Sequence, residues 1–271
     1  MLKRELQAAR ELCLGAGRIL LEHYAREVTV HMKDGNSPVT QADRDSNQFI
    51  TTKLGELFPD DGILAEESKD GAERLAKRRV WVVDPMDGTK EFIDKVGQFA
   101  VMIGLVEDGH PVLGAVYQPT TEMMLFAVKG EGAFLQQAGE TKRVSVSDLK
   151  APRAMRLVVS RSHRSPLVDA IMQALEIEQD VKSGSVGLKV GLLVKQDSDL
   201  YIHPNSKTKE WDTAAPQIIL EEAGGKMTDC WGAPLSYNKE DTYNRKGFVA
   251  SNGQAHDEIV SRIEPFLSDM D

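Results

Sequence analysis

Residues 81–92 read WVVDPMDGTKEF, in which an apolar run stops at Asp84 and a second carboxylate follows at Asp87. Pro85 fixes its own φ and restricts Asp84 to an extended conformation. The sequence therefore predicts that a buried strand ends at Asp84 and that the chain turns sharply there. In such a turn both carboxylates can point at one spot.

The residues of this turn also predict what would occupy that spot. The Met86 carbonyl can face the same point as Asp84 and Asp87, and Gly88 has no side chain to obstruct a ligand. We expect the backbone N–H groups of Gly88 and Thr89 to meet an anion. Oxygen ligands without a nearby His or Cys favour Mg²⁺, with Mn²⁺ and Ca²⁺ as alternatives, over zinc. The alternative is a turn in which Asp84 caps the backbone and the side chain of Asp87 is solvated.

Length and composition limit the classes of protein that are possible. The chain has 271 residues, 41% hydrophobic and 28% charged, and a formal charge of −9. That charge argues against binding a nucleic acid polymer, which needs basic patches. No apolar run approaches the roughly 18 to 20 residues that span a bilayer. We therefore expect no transmembrane segment. Cys13 and Cys230 lie far apart in the sequence, which fits a protein of the reducing cytoplasm.

The first part of the chain has α+β character. Amphipathic helices are predicted over the opening 24 residues and from Ala42, where T-x-x-D resembles a capping box. Short apolar runs that end in acids predict two strands with converging ends. Strand-like runs broken by DG, QP and GEG predict antiparallel hairpins over 99–135. The predicted strands are 28–33, 62–68, 79–85 and those hairpins, with a loop at DGNSP.

Beyond the polar stretch AGETKRVSVSDLKAPRA, β and α patterns alternate, which is typical of an α/β domain. Strands are predicted at MRLVVS, LYIHP and GFVASN, and helices at SPLVDAIMQAL, VGLKVGLLV, DTAAPQIILEEAGG and AHDEIVSRIEPFL. We expect an N-terminal α+β domain over residues 1–148 and a C-terminal α/β domain over residues 149–271.

The segments LAEES, WVVDPMDGTKEF and KEWDTAAPQIILEEAGG occur in an order that resembles the inositol monophosphatase superfamily. Its D-P-x-D-G-T element is the most specific of these signals. The resemblance implies a layered α/β/α/β/α sandwich with the site between the two domains. It also implies a phosphatase that depends on Mg²⁺ and is often sensitive to Li⁺, and it makes a homodimer possible.

The resemblance assigns the metal site residue by residue. Two or three Mg²⁺ ions would be held by five groups: Glu66, Asp84, the Met86 carbonyl, Asp87 and Asp212, with Glu67 a less certain neighbour. Asp43 and Thr89 match the pair that activates the attacking water in the nucleotidase branch. Each carboxylate has a structural alternative: an exposed strand end for Glu66, a capping-box acid for Asp43 and a helix N-cap for Asp212.

The residues after DGT suggest the substrate. DGTKEF is similar to the CysQ-like branch, the 3′(2′),5′-bisphosphate nucleotidases, whereas inositol phosphatases tend to read DGTxNF. The same branch tends to carry SRSH and GS-x-x-x-K, both present here. The resemblance gives Lys90 and Glu91 no role beyond marking the branch. The implied substrate-binding residues are Gly88, Thr89, Ser160, His163, Gly184, Ser185 and Lys189, with Arg161 as an anion ligand.

Two of these assignments have structural alternatives. His163 could be a surface-loop histidine, and Lys189 could lie on a solvated helix face. Four other histidines have no partners at metal-ligand spacing, so we expect them to be structural: His23, His31, His110 and His203.

The resulting hypothesis is a Mg²⁺-dependent phosphatase that hydrolyses the 3′-phosphate of 3′-phosphoadenosine 5′-phosphate to AMP and phosphate, clearing a by-product of sulfate assimilation. The partner would be this small-molecule phosphate monoester. An inositol-1-monophosphatase is the nearest alternative, and a catalytically silent nucleotide-binding module is an alternative of another class.

Overall fold

A computed structural model of the chain describes residues 2–26, 30–32, 38–162 and 164–267. The N-terminal helices form as predicted. The Thr40 side chain and the Asp43 carboxylate cap the second of them reciprocally, which is the capping box that the sequence predicts. Part of the predicted strand 28–33 and most of the DGNSP loop lie outside the described residues. The first elements are α1 (Lys3–Tyr24), β1 (Val30–Met32), β2 (Pro38–Thr40) and α2 (Gln41–Leu57).

A seven-stranded sheet follows in sequence order, β3 to β9. β3 runs parallel to β4, and every later neighbour is antiparallel, which confirms the predicted hairpins. A short helix, α3 (Thr89–Ile93), separates β4 from β5. The strands are β3 (Gly62–Ala65), β4 (Arg79–Asp87), β5 (Ala100–Glu107), β6 (His110–Gln118), β7 (Met123–Val128), β8 (Gly132–Gln137) and β9 (Glu140–Val144).

The second part of the chain forms a five-stranded sheet with the order β11-β10-β12-β14-β13. β10 is parallel to both of its neighbours, and β14 is antiparallel to both of its own. The sequence did not predict β11 or β13. The elements are β10 (Arg156–Ser160), α4 (Pro166–Ala174), β11 (Gln179–Ser183), α5 (Val186–Val194), β12 (Leu200–His203), α6 (Glu210–Glu222), β13 (Lys226–Thr228), β14 (Phe248–Ser251) and α7 (His256–Ile263).

The two larger sheets and six of the helices in the described residues stack in five layers. α1 and α2 cover one face of the larger sheet, α5 and α6 lie between the sheets, and α4 and α7 cover the outer face of the smaller sheet. β5 is buried on both faces: Val101 and Ile103 pack toward α1, and Met102 packs toward α5. The predicted α/β/α/β/α order is confirmed. The boundary between residues 148 and 149 stays a prediction.

Two strand glycines allow α6 to lie very close to the larger sheet. Gly104 of β5 and Gly114 of β6 are direct partners across the ladder. A Cβ atom on Gly114 would lie 2.5 Å from the Ala215 carbonyl oxygen, and one on Gly104 would lie 3.1 Å from the Ala215 nitrogen. Only glycine leaves room for the helix backbone at this distance. The start of α6 is thereby brought down to the sheet.

Across the described residues, no helix combines the length and the apolar character required to span a bilayer.

Candidate active site

The ends of β3 and β4 bring two acids together. The strands are parallel, with Ala65 beside Val83, and the Glu66 N–H donates to the Val83 carbonyl oxygen at 3.1 Å. Parallel neighbours end at the same edge of a sheet, so Glu66 and Asp84 lie side by side. The predicted convergence of these two strand ends is confirmed.

The strand does not end at Asp84, as the sequence led us to expect. β4 continues to Asp87, and its pairing with β5 shifts in register between Asp84 and Asp87. Proline is tolerated within a sheet at such an irregularity. The Ser46 hydroxyl of α2 donates to the Pro85 carbonyl oxygen at 2.9 Å and fixes the irregular stretch. The irregularity, and not a strand end, separates the two acids.

The sharp turn comes instead at Gly88, which precedes α3 and has φ of +99°. A Cβ atom there would lie 2.8 Å from the Gln98 carbonyl oxygen, so glycine is required for both its conformation and its size. The Met86 N–H donates to Asp84 Oδ1 at 3.0 Å. This bond holds one oxygen of Asp84 in the turn, as the capping alternative predicts, and leaves the other oxygen toward the site.

Helix α6 supplies the third acid. Asp84, Asp87 and Asp212 each place a carboxylate oxygen within 4.8 Å of the others. Asp212 is the third residue of the helix and not its N-cap, and its Oδ2 accepts the Lys209 N–H at 2.6 Å. Helix capping therefore occupies one oxygen of Asp212, and the second is available to the cluster.

Asp84 and Asp87 are buried, Asp212 is partly buried, and the three acids perturb one another. Burial, followed by the charges of Glu66, Asp87 and Asp212, raises the pKa of Asp84 well above its ordinary value. Burial likewise raises the pKa of Asp212, with Asp87 and Glu66 adding to the shift. For Asp87 the same effect of burial is opposed by Lys189 and by two hydrogen bonds. Clustered carboxylates of this kind can hold a metal ion, whose charge relieves their repulsion.

The structure places the other predicted ligands around this cluster. Glu66 and Met86 line the same cavity as the three aspartates. The Glu66 charge raises the pKa of Asp43 as well as the pKa values of Asp84 and Asp212, so Glu66 lies near enough to act on all three carboxyl groups. Glu67 does not line the cavity as it is formed by the described residues. Each of these donors is an oxygen, which matches the preference of a hard divalent cation.

Asp43 and Thr89 are in direct contact. The Thr89 hydroxyl donates to Asp43 Oδ1 at 3.1 Å and lies 3.4 Å from the Met86 carbonyl oxygen. The N–H and hydroxyl of Thr40 both donate to Asp43 Oδ2 at 2.7 Å. The capping role of Asp43 and its contact with Thr89 therefore use different oxygens. Asp43 is only 1% exposed, and burial raises the pKa of its carboxyl.

Asp87 also joins the two sheets. Its Oδ2 accepts the Ser185 hydroxyl at 2.5 Å and the Gly187 N–H at 3.0 Å, both at the start of α5. The Ser185 hydroxyl accepts the Leu188 N–H in turn, so it is the N-cap of that helix. In this structure the Ser185 hydroxyl donates to a cluster acid; its contact with a nucleoside stays a prediction.

Lys189 points into the site. The acids and Lys189 line one cavity of about 360 Å³ between the sheets. Lys189 is 4% exposed, so the alternative of a solvated helix face is wrong. Its ammonium nitrogen lies 5.2 Å from the centre of the Tyr201 ring. Burial lowers the pKa of Lys189, and Asp87, Glu91 and Asp212 oppose that shift.

The remaining predicted substrate contacts have different surroundings. Ser160 lines the cavity at the end of β10. The Arg161 guanidinium donates to the Gln98 side chain at 2.9 Å and does not line the described part of the cavity. Gly184 packs against Gln98. His163 lies outside the described residues, so its predicted role is not addressed.

Sequence reasoning missed part of the cavity wall. His203, which we expected to be structural, lines the cavity, and its Nδ1 is 3.1 Å from the Tyr201 hydroxyl. Asn205 and Lys207, which follow it, also line the cavity, as does Arg164. A signal was available: β10 and β12 are parallel, and ligands bind at the carboxyl ends of such strands. The stretch after LYIH is therefore a natural place for binding residues.

Comparison with known proteins agrees with this geometry. The sequence model of the inositol monophosphatase family matches residues 1–266. The chain belongs to the inositol monophosphatase family. The solved structures that it resembles include IMPase from Thermotoga maritima, with a TM-score of 0.82, 28% identity and 100% of each chain covered. CysQ from Bacteroides thetaiotaomicron has a TM-score of 0.80 and 32% identity over 93% of this chain and 98% of its own.

Within this family, curated relatives are similar along most of their length. The 3′(2′),5′-bisphosphate nucleotidase CysQ of Aggregatibacter actinomycetemcomitans is 38% identical over 246 residues, which are 90% of this chain and 91% of that protein. The CysQ of Escherichia coli K12 is 36% identical over 245 residues, 89% and 97% of the two chains.

Proposed function

We propose that this chain is a Mg²⁺-dependent 3′(2′),5′-bisphosphate nucleotidase that hydrolyses the 3′-phosphate of adenosine 3′,5′-bisphosphate to AMP and phosphate. The observation that carries the proposal is the contact between Thr89 and Asp43, which lies beside a three-aspartate cluster. A protein that only binds nucleotides does not need this pair. The similarity to CysQ nucleotidases over about 90% of the chain supports the choice of substrate.

The donor set fits Mg²⁺. Carboxylates and a backbone carbonyl are hard oxygen donors, and the grouping of two buried acids with the partly buried Asp212, without enough neighbouring positive charge, favours binding of a cation. The ligands would be Glu66, Asp84, the Met86 carbonyl, Asp87 and Asp212. Bound there, Mg²⁺ would neutralise phosphate charge, acidify the attacking water and stabilise the leaving oxygen.

Asp43 and Thr89 would handle the proton of that water. Oδ2 of Asp43 is held by two donors from Thr40, so Oδ1 is the oxygen that can take up a proton. The Thr89 hydroxyl donates to Oδ1, which leaves its own lone pairs to accept a hydrogen bond from water. Burial raises the Asp43 pKa, which makes the carboxylate a better base near neutral pH.

The wall of the cavity opposite the acids would receive the nucleoside and its second phosphate. Lys189 is a buried cation close to the cluster, and Arg164 and Lys207 add positive charge farther out. Ser160, Gly184, Ser185 and His163 complete the set proposed from sequence. A hydrophobic contribution comes from Val159 and Ile202.

The decisive experiment measures phosphate release from adenosine 3′,5′-bisphosphate and from inositol 1-phosphate side by side, with Mg²⁺ and with EDTA. We expect higher kcat/KM for the bisphosphate and no turnover in EDTA. Equal or better turnover of inositol 1-phosphate would assign the chain to the other activity, and no metal-dependent turnover of either ester would favour a silent nucleotide-binding module.

Asp87→Asn tests the metal site within the same assay. The substitution removes a ligand charge with little change in shape, so we expect a folded protein without activity. Full activity of this variant would show that Asp87 is not a necessary ligand. Formation of a homodimer stays a prediction that size-exclusion chromatography can test.

A further inference from the structure

Glu91 is a buried carboxylate for which the proposed reaction has no use. It lies in α3, two residues after Thr89, is 5% exposed and lines the cavity. The hydroxyl of Ser162 donates to Glu91 Oε1 at 2.7 Å. Ser162 follows β10 in the other sheet, 71 positions away in sequence. The bond therefore joins the α3 side of the cavity to the opposite wall.

Gln98 makes a second connection of the same kind. Its side-chain oxygen accepts the Gly184 N–H at 2.9 Å and the Arg161 Nε–H at 2.9 Å. Arg161 immediately precedes Ser162, and Gly184 follows β11. One segment of the larger sheet, from α3 to β5, thus holds both loops that follow the parallel strands β10 and β11.

The fit around Glu91 is close. A Cβ atom on Gly184 would lie 2.5 Å from Glu91 Cγ and 2.8 Å from the Gln98 carbonyl oxygen. The loop after β11 therefore packs directly on the Glu91 side chain, and Ser162 holds the carboxylate from the other side. A hydrogen bond to a charged, buried acceptor is roughly twice as strong as a neutral one. These contacts fix the position of the wall relative to the acids.

The segment that Glu91 holds carries cavity-lining residues on both sides of Ser162. Ser160 precedes it and Arg164 follows it, and both line the cavity. Arg164 is itself fixed by Asp169 and Asp180 at the start of α4 and in β11. Displacement of Ser162 would therefore move the adjoining part of the wall at Ser160, while Arg164 keeps its own ion pairs and the acids, Asp43 and Thr89 lie on other elements.

We propose that Glu91 is a positioning residue for substrate selection, which acts through Ser162. It sets the separation between the phosphate-cleaving acids and the wall at the end of β10, and this separation accommodates a nucleoside carrying a second phosphate. The inference rests on the proposed nucleotidase function. It gives a physical role to a residue that the sequence marked only by resemblance.

The test compares Glu91→Ala, Ser162→Ala and Glu91→Gln with the wild type on two substrates, adenosine 3′,5′-bisphosphate and the small ester glycerol 2-phosphate, in Mg²⁺. We expect the two alanine variants to raise KM for the bisphosphate about tenfold, the effect of losing roughly 1.4 kcal/mol of binding. Their kcat for the bisphosphate, and both constants for glycerol 2-phosphate, should stay within about twofold of wild type.

Three variants separate a positioning role from an effect of charge and from general destabilisation. Glu91→Gln keeps an oxygen that can accept the Ser162 hydroxyl, so it should behave like the wild type. The double variant Glu91→Ala/Ser162→Ala should be no worse than either single variant, because both remove the same bond. Glu107→Ala, which removes a carboxylate that pairs with Arg78 at the end of β5, is the matched control and should change neither KM.

The outcomes distinguish this inference from the function on which it rests. Suppose that the wild type hydrolyses the bisphosphate, so that the function stands. The positioning role is then overturned if Glu91→Gln is as impaired as Glu91→Ala, or if the alanine variants change KM equally for both esters. If the wild type does not hydrolyse the bisphosphate, the function fails. Calorimetric titration of AMP into wild type and Ser162→Ala then tests the positioning role alone, and equal affinities overturn it.

Discussion

The carboxylate of Asp87 accepts a 2.5 Å hydrogen bond from the hydroxyl of Ser185, a residue 98 positions later in the chain. One acid of the cluster thus caps a helix that lies between the two sheets, and the helix N-terminus stabilises negative charge on that acid. The cluster and the relative position of the sheets depend on the same bond.

This bond predicts the behaviour of Ser185→Ala. The variant loses a charged hydrogen bond and an N-cap, so the free energy of unfolding should fall by about 2 to 3 kcal/mol. Ser165→Ala is the matched control, because Ser165 caps the nine-residue helix α4 without contacting an acid. Urea unfolding in EDTA should show a loss of only about 1 kcal/mol for the control. Equal losses in the free energy of unfolding for the two variants would mean that the bond to Asp87 adds no stability.

Asp43→Asn should reduce kcat by roughly 10²- to 10⁴-fold with a small change in KM, because it removes the proton acceptor. The amide oxygen can still accept from Thr40, with the amide nitrogen facing Thr89, so the fold should persist. Steady-state kinetics with the bisphosphate check this. Asp45→Asn is the control on the same helix, where Asp45 pairs with His23 and is 42% exposed. A fully active Asp43→Asn would exclude Asp43 as the base.

Binding of Mg²⁺ should stabilise the wild type and not Asp212→Asn. At a hundredfold excess over the dissociation constant, the expected gain in the free energy of unfolding is about 2.7 kcal/mol. In EDTA, Asp212→Asn should be more stable than the wild type. Its free energy of unfolding should be higher by on the order of 1 kcal/mol, because the substitution removes one charge from the crowded acids. Thermal unfolding with and without Mg²⁺ measures both effects.

A contrasting variant controls for the loss of a buried carboxylate as such. Asp199 is fully buried and is paired with Arg156 at 2.9 Å and with Ser147 at 2.6 Å. Asp199→Asn should destabilise the protein in EDTA by about 1 to 3 kcal/mol, because it leaves its partners without a charged acceptor. If Asp212→Asn behaves like Asp199→Asn, the acids of the cluster do not repel one another in the absence of metal.

The stability of the fold should fall between pH 6.5 and pH 4 because of His256. This residue is 2% exposed and hydrogen-bonded to Thr228 and Ser251, and its burial lowers its pKa to about 4. The unfolded chain binds a proton near pH 6.5, so protonation favours unfolding as the pH falls. The contribution of His256 to the free energy of unfolding should drop by about 2 kcal/mol from pH 7.5 to pH 5, and the difference between the wild type and His256→Asn isolates it.

The measurement is urea unfolding at several pH values across this range. His256→Asn should be less stable at pH 7.5 and should show a smaller dependence on pH. His110→Asn, at the exposed first residue of β6, is the control and should keep the slope of the wild type. An unchanged slope in His256→Asn would assign the pH dependence to other groups.

Much of the fold and of the site could be predicted because the signals are local. T-x-x-D specifies the start of α2 and, with it, the position of Asp43. Apolar runs that end in acids predict parallel strand ends, which is why Glu66 and Asp84 could be placed together. The prediction of a strand end at Pro85 was wrong. The pairing of β4 with β5 resumes at Asp87, and this pairing depends on a neighbouring strand that the local sequence does not reveal.

What could not be predicted depends on the layering of the molecule. Lys189 stands in a helix whose sequence is compatible with an exposed face, and only the second sheet above it makes that face interior. The strand β11, with the sequence QDVKS, is a polar edge strand that forms by pairing with β10 alone. His203 looked structural because it has no partner at metal-ligand spacing in the sequence, and only the fold shows that the end of β12 forms part of the cavity wall.

The paired glycines beneath α6 make the geometry of the metal site sensitive to residues that contact neither the metal nor the substrate. Asp212 stands one turn before the point where the backbone at Ala215 rests on Gly114. A single methyl group on Gly114 would push the helix away and widen the gap between Asp212 and the acids of β4. The tolerance of metal–ligand distances is about 0.2 Å, so changes at such positions can tune cation affinity while every ligand is retained. Among natural relatives, we therefore expect metal requirement to vary with the size of the sheet residues that support α6, as well as with the acids themselves.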